Sequence, residues 1–204
     1  MTDVVDGKCF DVEKLVICIS GMAGTGKSTL AKRLAKHYGL RYFSGGDALR
    51  TLAAEEGFAS GSNGWWETAE GLGFLERRKG DLSFDRRVDE KLLEYAAEGK
   101  VLLDSWTMPW LLKGVFKIWL SASVQKQAER IAVRDGMSVE ESLAALREKE
   151  ARTKAIYKRL YGFRLGEDFE PFDLILDTDT LSAEEVFQVL CMVIDNVVLG
   201  KAQA

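Results

Sequence analysis

Cysteine, proline and histidine are scarce here, at 3, 2 and 1 among 204 residues. Cys9, Cys18 and Cys191 are odd in number, far apart and without a Cys-x-x-Cys pair, which argues against a disulfide framework or a zinc site and fits a reducing cytoplasm. His37 is alone, so neither histidine-dependent acid–base chemistry nor a Ser-His-Asp set is available; its expected role is to cap or cover the end of a helix. No apolar run approaches the ~18 residues of a membrane span, and the acidic start Met1-Thr2-Asp3 lacks the basic region of a secretory leader. Nor is one charge in excess. The balance of 28 Lys+Arg against 32 Asp+Glu argues against a sequence-independent grip on a nucleic-acid backbone, so neither nucleic acid nor membrane is an expected partner. Repeats, low-complexity tracts and Pro- or Ser-rich linkers are also lacking, and residues 1–204 read as one domain.

What is present is an alternation of short apolar runs and amphipathic stretches. Strands are expected over 15–19, 40–44, 101–103, 115–120 and 174–176, and helices over 27–38, 47–56, 85–97, 124–134 and 138–161. Ser138-x-x-Glu141 and Ser182-x-x-Glu185 carry the capping-box pattern, the second opening a last helix with Val186, Leu190, Val193 and Val197 on its buried face. Such alternation describes a three-layer α/β domain with a parallel sheet.

Between the first strand and first helix stands Gly21-Met22-Ala23-Gly24-Thr25-Gly26-Lys27-Ser28, the complete G-x-x-x-x-G-K-[ST] pattern. Phosphate oxygens need convergent N–H donors, and glycines at 21, 24 and 26 let the backbone curl closely enough to supply them. The expected phosphate-binding set is Gly21, Ala23, Gly24, Thr25, Gly26, Lys27, Ser28 and Thr29, with Lys27 on the β/γ-phosphates and the Ser28 hydroxyl on Mg²⁺. A glycine-rich turn with an incidental lysine is the bland alternative, at a chance on the order of one per cent before the flanking strand and helix are required. Asp104 follows the strand Val101-Leu102-Leu103, where a parallel sheet delivers residues to its ligand-bearing edge. It reads as a second metal-shell residue or as a turn or cap aspartate.

Ser44-Gly45-Gly46-Asp47-Ala48-Leu49-Arg50 resembles the substrate segment of P-loop nucleoside monophosphate kinases. Arg130 and Arg134, four apart on one helix face, resemble the arginine pair those enzymes place on ATP. With GMAGTGKSTLAKRLAKHYGL, FDRRVDEKL, IYKRLYGF and FDLILDTD in the same order, most of the chain is similar to the archaeal type of cytidylate kinase. That resemblance implies a five-stranded parallel sheet of order 2-3-1-4-5, a substrate arm over about 50–95 and a lid over about 134–165. It also implies in-line transfer from ATP with Mg²⁺, in a cytoplasmic monomer or weak dimer. Lys27, Asp104 and Arg134 would be catalytic, Arg130 and Arg134 would serve ATP, and Ser28 and Asp104 would serve the metal. Ser44, Asp47, Arg50, Asp85, Asp89 and Trp106 would serve the acceptor, the two aspartates through a base amine or sugar hydroxyl unless they are merely exposed helix acids.

The pattern breaks at two positions. Where these kinases carry arginines, this chain has Trp106 and Ile156, which removes cations from the expected acceptor pocket. Each lost arginine–phosphate contact is worth ~1.5–3 kcal/mol unless another cation substitutes. Trp65 and Trp66 add aromatic surface to the arm, where burial is favoured over stacking on a ligand ring. Arg147, Lys149, Arg152, Lys154, Lys158 and Arg159 either fold over phosphates or form one solvated helix face. The leading expectation is a kinase of CMP or dCMP. The alternatives are a P-loop kinase of another small acceptor in a Trp-rich pocket, or an ATP-binding conformational switch without efficient transfer.

Overall fold

Val16–Gly21 (β1) is buried at every position, as its unbroken apolar run requires of a strand covered on both faces. It pairs in parallel with Val101–Asp104 (β3) on one side and with Phe116–Ser121 (β4) on the other. Arg41–Ser44 (β2) extends the sheet beyond β3 and Leu174–Asp177 (β5) beyond β4, giving the all-parallel order β2-β3-β1-β4-β5. The structure, a computed structural model, describes residues 14–58 and 65–200; Cys9 and residues 60–64 of the glycine-rich stretch lie outside them.

Helices cover both faces. Lys27–Tyr38 (α1) and Ala183–Val193 (α8) enclose one core with Ile17, Ile19, Leu102 and Ile118 of the sheet. Gly45–Glu55 (α2) and Ser83–Glu98 (α4) enclose the other with Cys18, Val101 and Leu103. Each such buried aliphatic side chain contributes about 1.5–3 kcal/mol of burial energy. Val124–Asp135 (α6) and the long Val139–Tyr161 (α7) lie over the carboxyl end of the sheet, where Ile156 and Tyr157 pack with Met22 and Trp119 in a third cluster.

Three features depart from the expectations. Ala69–Gly80 forms a helix, α3, in a stretch left unassigned, preceded by a single 3₁₀ turn at Trp65–Glu67. Met108–Leu111 forms a short helix, α5, with Pro109 in its first turn, where a missing N–H costs nothing. The last helix widens into a π turn at Ile194–Val198, so the buried face runs Val186, Leu190, Ile194, Val198. Val197, expected inside, is 61% exposed. Among the described residues no helix is long and apolar enough to cross a membrane.

Candidate active site

The carboxyl ends of β1, β2 and β3 deliver Gly21, Ser44 and Asp104 to one edge, beside the point where the chain leaves β1 for one face and β3 for the other. After β1 the backbone turns tightly. Gly24 has φ +77°, and a Cβ there would stand 2.6 Å from the Gln127 carbonyl oxygen; at Gly21 one would stand 2.5 Å from the Leu120 oxygen. Only glycine fits either position. Thr25 turns inward, its hydroxyl donating to the Met22 carbonyl at 2.9 Å.

The helix that follows is left open at its start. Ser44, Thr68, Ser123, Ser138 and Ser182 cap α2, α3, α6, α7 and α8 through their side chains, whereas α1 begins at Gly26 with no side-chain cap and no acid in its first turn. Its first N–H groups and its dipole therefore favour an external anion. Lys27 in that first turn pairs with Asp104, which is 2% exposed and also accepts from the Tyr42 hydroxyl at 3.1 Å.

One cavity of about 560 Å³ runs from this turn to α3 and α7. At its near end lie Gly24, Gly26, Lys27, Ser28, Thr29 and Asp104, with Ala23 beside them. Arg130 and Arg134 of α6 reach it too. Arg130 also braces the site, donating to the Thr178 hydroxyl at 2.9 Å, to the Thr178 carbonyl at 2.6 Å and to the Gly24 carbonyl at 3.4 Å. Arg134 reaches the Asp135 carboxylate through two nitrogens. Gly21 and Thr25 do not line the cavity; they shape its wall.

The remaining expected residues line the same cavity. Ser44 caps α2 by accepting the Asp47 N–H at 3.2 Å, and Arg50 pairs with Asp47 one turn away. Asp85 and Asp89 are not exposed helix acids: they are 2% and 5% exposed and line the cavity. Burial pushes the Asp89 carboxyl up to about 6, against the hydroxyls of Thr107 and Tyr161 that donate to it. Trp106 forms the floor between the two ends, its indole N–H donating to the Gly21 carbonyl at 2.6 Å and its ring set edgewise to Tyr157.

Sequence reasoning missed Arg78. It is 2% exposed, lines the cavity and grips Asp85 through two nitrogens, Nε at 3.1 Å from Oδ2. Burial opposes its charge, but the Asp85 carboxylate and Tyr157 together more than offset that, and the guanidinium stays protonated. Lys149 lines the same cavity, and both cations lie within 6 Å of the Trp66 ring centre, at 5.9 Å for Arg78 and 5.7 Å for Lys149. Trp66 lines the cavity, while Trp65 is buried against Phe74. Ile156 is 1% exposed in the core and does not line the cavity. Arg78 and Lys149 thus bring to the cavity cations that Trp106 does not. The signal for Arg78 in the sequence was slight, one arginine in the basic run 77–79, seven residues before Asp85.

Solved structures share this architecture: shikimate kinase from Bacteroides thetaiotaomicron superposes with a TM-score of 0.54 at 16% identity, covering 89% of this chain and 98% of that one. The Acinetobacter baumannii shikimate kinase, solved with shikimate, gives 0.54 at 18% identity over 94% and 97%. Sequence likeness lies elsewhere. The cytidylate kinase of Pyrococcus horikoshii is 36% identical over 185 residues, 90% of each chain, and that of Methanocaldococcus jannaschii 32% over 187 residues, 89% of this chain and 98% of that one. The profile of the cytidylate kinase-like family matches residues 16–180, from the first residue of β1 to beyond the Thr178 that braces Arg130. With a P-loop kinase fold and the glycine turn at the sheet edge, this chain belongs to the cytidylate kinase-like family and is a nucleoside monophosphate kinase-like phosphotransferase.

Proposed function

We propose that the protein transfers the γ-phosphoryl group of ATP to a nucleoside monophosphate, CMP or dCMP foremost. The observation that carries this reading is the uncapped start of α1, with Lys27 in its first turn, sharing one cavity with Arg50 of α2. The first offers an anion site for the triphosphate and the second a fork for a monophosphate. An oxygen of the acceptor phosphate attacks the γ-phosphorus in line, the bond to the β–γ bridging oxygen breaks, and ADP leaves with that electron pair. Charge spreads over the transferred group, and Lys27, Arg130 and Arg134 are the cations that stabilise it.

Ser28 and Asp104 lie beside Lys27 with oxygen donors only, a set that suits Mg²⁺. They would hold it, and it would neutralise charge on the β- and γ-phosphates. Asp85, Asp89 and Trp106, with Ser44 and Asp47 at the head of α2, serve the acceptor in this reading. Residues about 50–95 act as its arm and about 134–165 as the lid. The protein works as a monomer or weak dimer on free nucleotides.

A second reading, a non-nucleotide acceptor, draws on Trp66 and Trp106 lining the cavity, Trp106 standing where an arginine was expected. Arg78 and Lys149 at the same end favour the phosphorylated acceptor. The test is ADP formation from Mg-ATP across CMP, dCMP, UMP, AMP, GMP and non-nucleotide alcohols. Stimulation by pyrimidine monophosphates is expected. Stimulation by none of them would overturn the proposal, and stimulation by an alcohol alone would replace it with the second reading.

A further inference from the structure

Two of the basic residues of α7, Arg152 and Arg159, have partners that their sequence did not suggest. Arg152 donates to the Leu72 carbonyl at 2.9 Å and Arg159 to the Lys79 carbonyl at 2.9 Å, both on α3. The two arginines stand seven residues apart, and so do the two carbonyls they hold, so α3 and α7 run side by side in step. Seven residues is two helical turns, which puts both arginines on one face of α7. Lys149, three residues before Arg152 on that face, sets its ammonium 5.7 Å from the centre of Trp66, in the turn leading to α3. Arg152 is itself aimed by Glu148 one turn back and stands 3.5 Å from Glu76 of α3.

These links are selective in chemistry. Lys79 lies in the last turn of α3, where carbonyls lack helical partners and the dipole is negative, so a guanidinium there is favoured twice. Leu72 lies near the start of α3, so the helix is held close to both ends. Meanwhile Ile156 and Tyr157, on α7 between the two arginines, pack with Met22 of the phosphate turn. The helix that borders the acceptor end is thus fastened to one that touches the ATP end.

We propose that Arg152 and Arg159 are positioning residues that make α3 and α7 a single body, so that acceptor binding against α3 and α4 also sets α7 over the ATP site. The inference rests on the acceptor lying at the Arg78–Asp85 end, as in the function proposed above. Neither arginine touches substrate; both act through α3. Because the coupling is one of binding free energy, it runs in both directions: ATP also tightens the hold on the acceptor.

Amide hydrogen exchange on the full-length protein with CMP alone, and no triphosphate, tests this. In the wild type, residues 69–80 and 139–161 are expected to gain protection together. In Arg152→Met/Arg159→Met, CMP still protects 69–80 but the gain over 139–161 is lost. With it, the tightening of ATP binding by CMP is expected to be lost, so that the KM for ATP at saturating CMP rises about tenfold, roughly the effect of one to two lost hydrogen bonds. The lysine pair, Arg152→Lys/Arg159→Lys, retains donors and is expected to restore part of both. Protection of 69–80 without 139–161 in the wild type, or joint protection surviving in the methionine pair, would overturn the single body while leaving the kinase reading intact. Protection by CMP, UMP and AMP nowhere in the wild type would overturn the acceptor assignment, and the inference with it. Circular dichroism of each variant confirms that these partly exposed substitutions leave the fold in place.

Discussion

Lys27, in the first turn of α1, reaches the end of β3 and pairs with Asp104, a residue 77 positions away in sequence. The Lys27 side chain is 16% exposed and the Asp104 side chain 1%, so the carboxylate is the member that depends on the pair. Replacing Lys27 with alanine removes both this partner and the cation proposed to meet phosphate. Phosphoryl transfer is expected to fall by about 10³ or more. Stability in urea is expected to drop by about 1–3 kcal/mol, because Asp104 keeps only the Tyr42 hydroxyl. Adding Asp104→Asn should return the stability and not the activity. Unchanged turnover in Lys27→Ala would remove the phosphate cradle from the mechanism.

Burial at Asp89 makes a pH prediction with a definite sign. Its carboxyl is raised from 3.8 to about 6, so between those values the folded protein holds a proton that the unfolded chain has released. Stability from this group is therefore full below about 4 and is lost as pH rises through about 6, a span worth about 3 kcal/mol. Asp89→Asn should flatten the pH dependence of the urea midpoint between pH 4 and 7. An equally steep profile in that variant would place the titration elsewhere.

Gly24→Ala tests the turn itself. The added methyl meets the Gln127 backbone at 2.6–3.0 Å on a residue with φ +77°, and all three atoms it meets are main chain that cannot swing aside. A loss of about 1–3 kcal/mol is expected, with weaker ATP binding by calorimetry. Full affinity for ATP at wild-type stability would show the turn to be more yielding than its packing implies.

Trp106→Phe keeps a ring on the floor of the cavity and deletes the N–H that the Gly21 carbonyl accepts. The expected loss is about 1 kcal/mol, or a thermal midpoint lower by about 2–4 °C. An unshifted midpoint would mean that water satisfies the carbonyl equally well.

The sheet and the glycine-rich turn were legible because their signals are local: apolar runs of strand length, a fixed glycine spacing, capping boxes at Ser138 and Ser182. What escaped was set by distance. α3 carries Gly71 and Gly73, which weaken any helical pattern, yet a Cβ at Gly71 would stand 2.2 Å from the Trp65 carbonyl oxygen, so the residue that hid the helix is one its packing requires. Arg78 looked like its neighbours Arg77 and Lys79 until the fold turned it onto Asp85. Arg152 and Arg159 read as phosphate ligands or surface charge, because nothing in the sequence of α7 announces the carbonyls of α3.

The widened turn at the end of α8 has a bearing on how the chain can be dissected. By admitting an additional residue it brings Ile194 and Val198 back over Leu15, Ile17 and Phe116, on the face of the sheet opposite α2 and α4. A protein shortened to end at Val193 would uncover that seam while leaving every side chain that lines the cavity untouched, so its heat tolerance and its chemistry would part company.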